Sequence, residues 1–93
     1  MQDSRTFEDV SVHVWEKVKA MARTRFGTTF DPETSPAGTA RTSTPIGEVV
    51  IDYDLDADAE QITYTLRRKP MLILSRHIWS GLEEAIDSCR QQS

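Results

Sequence analysis

From Val49 to Pro70 the chain reads VVIDYDLDADAEQITYTLRRKP, and it changes chemical character at every second residue. Ile51, Tyr53 and Leu55 stand between Asp52, Asp54 and Asp56, and the acidic alternation continues through Asp58 to Glu60. A period of two is the signature of an extended strand with one face on a core and the other in water. The following run brings Ile62, Tyr64 and Leu66 at the same period, so the segment folds back on itself as a hairpin over about 48–69. Matching the apolar sets fixes the register. Leu55 opposes Ile62, Tyr53 opposes Tyr64 and Ile51 opposes Leu66 on the buried face. The outer face then sets Glu48 against Lys69, Val50 against Arg67, Asp52 against Thr65 and Asp54 against Thr63. The connection from Asp56 to Gln61 lacks the glycine of a tight two-residue turn.

Two strands alone do not make a stable unit, so the remainder of the chain must cover their apolar face. Phe7, Val10, Val14, Val18 and Met21 recur at spacings of three and four and predict an amphipathic helix over about 7–25. Thr6 and Asp9 stand as a capping box, and Gly27 as the left-handed terminator after the cationic last turns. After Pro70, Met71, Leu74, Ile78, Leu82, Ala85 and Cys89 form a second helical stripe over about 71–90. Ser75 offers a shorter start that leaves Met71 to Leu74 extended. Gly81, in the middle of this helix, suggests close approach to the aromatic face of the hairpin.

Between the first helix and the hairpin, 16 of the 21 residues from Gly27 to Gly47 are Gly, Ala, Ser, Thr or Pro, which excludes a helix. The segment 27–47 is expected to be a flexible loop, with a short edge strand at Thr28 to Phe30 or Ala40 to Thr44 as the alternative. The whole is a single α+β domain: a small antiparallel sheet of two to three strands, covered on one face by an N-terminal and a C-terminal helix. At 93 residues, such a domain buries about 65% of the surface its unfolded chain exposes.

The same residues narrow the function. A net charge of -4 argues against nucleic acid as a partner. One cysteine precludes an internal disulfide, and neither a signal core in MQDSRTFEDV nor an apolar run near 20 residues is present, so a cytoplasmic protein with no membrane span and no membrane partner is expected. Cys89 lies on an apolar stripe, the serines lack a nucleophile motif and the four glycines are scattered, which predicts a non-enzymatic protein without a cofactor. His13 and His77 each precede an apolar residue and a tryptophan, but they have no third ligand at metal spacing.

The acidic ladder fails as a calcium loop. Counting from Asp52, the sixth residue is Ala57 where glycine is needed, and the twelfth is Thr63 where a glutamate is needed. Same-face carboxylates also stand about 6.6 Å apart along a strand, too far for one ion to gather them. Only Asp56, Asp58 and Glu60, in the turn, remain as candidate ligands for weak calcium binding. The leading expectation is an interaction module that binds another protein or itself as a homodimer, through Met71, Leu72, Ile73 and Trp79 with Arg68 and Arg76 beside them. The alternative is a carrier of a small apolar ligand in a cavity lined by Tyr53, Tyr64, Trp15 and Trp79.

Overall fold

The computed structural model describes residues 3–91. Its elements in order are β1 (Asp3–Phe7), α1 (Val12–Phe26), β2 (Thr29–Asp31), β3 (Ala37–Thr44), β4 (Gly47–Asp56), β5 (Gln61–Arg68) and α2 (Ser75–Gln91). The strands form one antiparallel sheet in the order β1-β5-β4-β3-β2, so the two or three strands expected from the sequence are in fact five.

The central hairpin has the register that apolar matching requires, with Leu55 opposite Ile62, Tyr53 opposite Tyr64 and Ile51 opposite Leu66. It departs at its open end. A bulge between Val50 and Ile51 moves Val50 opposite Arg68 instead of Arg67, and Glu48 pairs across β3 with Ser43 instead of reaching Lys69. The acidic strand therefore meets a cation of β5 in one place, Asp52 Oδ2 to Arg67 Nε at 2.9 Å, while Glu48 reaches Arg41 on β3.

The predicted start of the first helix is corrected. Asp3–Phe7 is an edge strand pairing Phe7 with Ile62 and Asp3 with Leu66. Asp9 takes a positive φ of 58°, which breaks any helix running through it, and the Val10 amide donates to the Glu60 carbonyl at 2.7 Å. Ser11 is the cap, its hydroxyl accepting from the Val14 amide. The other end is as the sequence indicates. Gly27 is left-handed at φ 65°, its amide donating to Arg23 and that of Thr28 to Ala22.

The segment 27–47 is not one loop: it supplies β2 and β3, which overlap both stretches given as the alternative edge strand, with Phe30 opposite Ala40. Small residues are required there. A Cβ on Gly38 would lie 2.6 Å from the Asp31 carbonyl oxygen and 2.8 Å from Tyr53 Oη. That phenol donates to the Pro32 carbonyl at 3.1 Å.

One apolar cluster joins Val14, Trp15 and Val18 of α1, Trp79, Ile86 and Cys89 of α2, and the inward residues of β4 and β5. Trp15 is at its centre, with its ring 5.8 Å from Phe30 and 5.0 Å from Tyr53. The other sheet face is polar. Ser4 bonds Thr65, Thr6 bonds Thr63, and Thr39 donates to Asp52.

The elements also give the molecule two distinct ends. The β4–β5 turn, the start of α1 and the end of α2 lie together, since Arg90 donates to the carbonyls of Glu8 and Asp9. At the opposite end lie the β3–β4 turn, the close of α1 near Thr42 through the Thr28 hydroxyl, and the start of α2 beyond β5.

Candidate functional site

Between the two helices and the inner sheet face lies an apolar cavity of about 260 Å³. Val49, Ile51 and Tyr64 form its sheet wall, and Ile78 and Leu82 its α2 wall. Exposed Phe26 borders it at the close of α1. The space exists because several positions facing it are small, among them Ala40, Gly81 and Ala85. Gly81 does not serve close helix approach, as the sequence suggested: a Cβ built there meets nothing within 4 Å. Of the four aromatic residues expected to line a cavity, Trp15 and Tyr64 do, whereas Tyr53 and Trp79 are packed elsewhere in the core.

Two polar atoms in this wall, Trp15 Nε1 and Tyr64 Oη, are buried without a hydrogen-bond partner. Burial pushes the Tyr64 phenol far above its ordinary value, with Cys89 and Tyr53 adding to the effect, so it remains protonated across the physiological range. Burial also raises Tyr53, opposed by Arg23 and reinforced by Asp31. The Cys89 thiol is raised by burial against the lowering influence of Lys17 and Arg25, the opposite of an activated nucleophile.

A second feature is the connection from β5 to α2. Met71 and Leu72 are 92% and 82% exposed, and Leu74 is also exposed. Two turns shape the segment, the Ile73 amide donating to Pro70 and the His77 amide to Leu74, so the helix begins at Ser75 and not at Met71. Ile46, exposed in the β3–β4 turn, lies beside it, because the neighbouring Gly47 packs against the Pro70 ring. Arg68 and Arg76 are exposed on either side, and Ile73 is half-buried. Trp79 is the exception among the predicted contact residues. It is 3% exposed, and its indole Nε1 donates to Asp3 Oδ2 at 2.8 Å, at the start of β1.

The turn carboxylates Asp56, Asp58 and Glu60 are exposed. Asp56 Oδ1 accepts from the Ala59 amide, and Glu60 sits at φ 53° with its carbonyl engaged by Val10. Among the described residues, no group of three His, Cys, Asp or Glu side chains stands where it could hold one metal ion. His13 and His77, in the first turns of helices that start at opposite ends of the sheet, are not brought together. Among the described residues, no helix is long and apolar enough to cross a membrane.

No family model, no curated protein and no solved structure matches this chain.

One buried charge is structural. Lys19 is 2% exposed, with Nζ donating to the Glu33 carbonyl at 2.8 Å, pairing with Glu16 at 3.2 Å and lying over the Trp15 ring. It ties α1 to the β2–β3 connection. Its position in the α1 stripe was hidden in the sequence because a lysine there reads as solvent-facing.

Proposed function

We propose that the chain is a non-enzymatic binding module whose cavity, between α1, α2 and the inner face of the sheet, takes a small apolar ligand. The observation that carries this reading is the cavity itself: concave, walled mainly by apolar side chains, and lined at three positions by the small residues Ala40, Gly81 and Ala85. Its volume of about 260 Å³ lies just below the range of roughly 300–1,000 Å³ typical of drug-sized ligands, which favours a compact occupant. Trp15, in the wall, supplies the assay. Titration with a panel of small hydrocarbons, ketones and terpenoid alcohols should change tryptophan emission for a subset of them, and Gly81→Leu should abolish the change by filling the space. A flat response across the whole panel at the solubility limit counts against the reading.

A second reading, association with a protein or with another copy of the chain, draws on the exposure of Met71 and Leu72. Light scattering across a concentration series tests it. A mass that stays monomeric at the highest concentration removes the homodimer.

A further inference from the structure

From Arg67 to His77, RRKPMLILSRH, there are four Lys or Arg residues and no acidic residue, whereas from Asp52 to Glu60 there are five acidic residues and no basic one. The two runs meet where Asp52 pairs with Arg67 and diverge from there, the acidic one to the β4–β5 turn and the basic one to the start of α2 at the other end of the sheet. β4 spans ten residues from Gly47 to Asp56, which separates its ends by roughly 30 Å. Arg23 and Arg25, in the last turn of α1, belong to the cationic end as well. The overall charge of -4 is thus a sum over two poles of opposite sign.

At the tip of the cationic pole stand Met71 and Leu72, with Leu74 and Ile46 beside them, all exposed. These side chains project; they do not line a recess. Among the anchors of protein contacts Trp and Tyr are enriched and Leu is under-represented; none of these four is aromatic and two are leucines. A protruding tip of aliphatic side chains inside a collar of guanidinium and ammonium groups suits a fluid anionic surface, where the apolar groups enter the acyl boundary and the cations meet phosphate and carboxylate headgroups. The acids nearest the tip do not cancel the collar. Asp52 is paired with Arg67, Glu48 is paired with Arg41, Asp3 at the start of β1 is turned to the Trp79 indole, and Glu83 and Glu84 lie two turns into α2.

From this juxtaposition we infer that the β5–α2 connection is a docking tip for anionic lipid bilayers, with Met71 and Leu72 inserting and Arg68, Lys69 and Arg76 binding headgroups. Docking in this orientation directs the acidic β4–β5 turn away from the membrane. It also brings the Phe26 border of the cavity to the side nearest the lipid, although the inference does not depend on what the cavity holds.

Sedimentation of the full chain with vesicles of phosphatidylcholine, alone or mixed with phosphatidylserine, tests it. Wild-type protein should sediment with the mixed vesicles, and raising the salt concentration should release it. Arg68→Gln and Arg76→Gln should each lower partitioning about fivefold, the loss expected from one headgroup cation. Leu72→Ser should lower it at least about tenfold, the loss expected from one buried leucine. All three positions are exposed, so the far-UV circular dichroism of the variants should match wild type. Absence of wild-type binding to the mixed vesicles overturns the inference. So does binding that Met71→Ser with Leu72→Ser leaves unchanged. Concentration-dependent self-association that the same substitutions abolish, without vesicle binding, assigns the tip to a protein contact instead. Gly81→Leu separates the two sites, since filling the cavity should leave vesicle binding intact.

Discussion

Replacing Gly81 by alanine should stabilise the protein, and the sign of the effect tests the described course of α2. Glycine in a helix interior costs about 0.8–1.0 kcal/mol relative to alanine, because its backbone loses more freedom on ordering. This gain is normally cancelled where glycine lets another element approach closely. Here a Cβ meets no atom within 4 Å, so nothing opposes the gain, and the whole increment of about 1 kcal/mol should appear. For a domain of this size that raises the thermal midpoint by about 4–8 °C. Far-UV circular dichroism during heating measures it, and urea unfolding gives the same increment as a higher midpoint at unchanged slope. A lower midpoint for Gly81→Ala would mean that α2 packs closer to the sheet than described, and the cavity argument would fall with it. Gly81→Leu provides the companion measurement, since leucine retains good helix propensity while growing into the space. Undiminished ligand response in a folded Gly81→Leu protein would locate the ligand elsewhere.

Gly38→Ala should destabilise by about 1–3 kcal/mol, because the added methyl collides with the Asp31 carbonyl and the Tyr53 hydroxyl; a midpoint equal to wild type would show that β2 and β3 are not held against Tyr53. Asp3→Ala leaves the buried Trp79 indole without its acceptor and should cost about 1–3 kcal/mol in urea unfolding, whereas a neutral result would detach β1 from the core. Tyr64→Phe removes a buried hydroxyl that has no partner and should stabilise by about 1–3 kcal/mol; a loss of stability would reveal an acceptor for it. Tyr53, Tyr64 and Cys89 all have folded-state pKa values above their ordinary 10.0, 10.0 and 9.0, so the unfolded chain releases these protons first. Their contribution to stability is intact below about pH 9 and lost as the pH rises further, which urea midpoints from pH 7 to 11 should show as a progressive decline, smaller in Tyr64→Phe.

The features legible in the sequence are those in which a residue's own chemistry dictates its place. Tyr53 and Tyr64 align because a one-residue slip would turn a whole apolar face outward and an even slip would mismatch the apolar sets, and Gly27 ends α1 because few other residues accept its φ. The strand β1 was hidden, and β2 and β3 showed only as alternative edge strands to a loop. Phe7 stands three residues before Val10 and seven before Val14, so a strand residue and a loop residue completed a helical stripe by coincidence, and Thr6 with Asp9 counterfeited a cap. β3 reads as loop because the position opposite Tyr53 admits only Gly38, and small residues such as Gly38 and Ala40 carry no periodic signal. The cavity is a property of packing. Ala40 on β3 and the pair Gly81 and Ala85 on α2 create it by what they lack. The exposed segment Met71 to Leu74 was visible as an apolar excess, but its relation to the acidic pole follows only from the strand order.

The bonds that join β1 and its following turn to α2 also govern how this chain reaches its folded state. Trp79 and Asp3 are 76 residues apart, and Arg90 reaches Asp9 and Glu8 across 81 and 82 residues. A chain emerging residue by residue can assemble α1 and the β2–β3–β4 meander early, yet its first strand has no partner until β5 appears and no cover until α2 is complete. Loop closure over such separations slows folding, and until it happens β5 presents an unpaired edge beside Ile62 and Tyr64. Quality of assembly is therefore decided at the last step, when the two extremities of the chain meet.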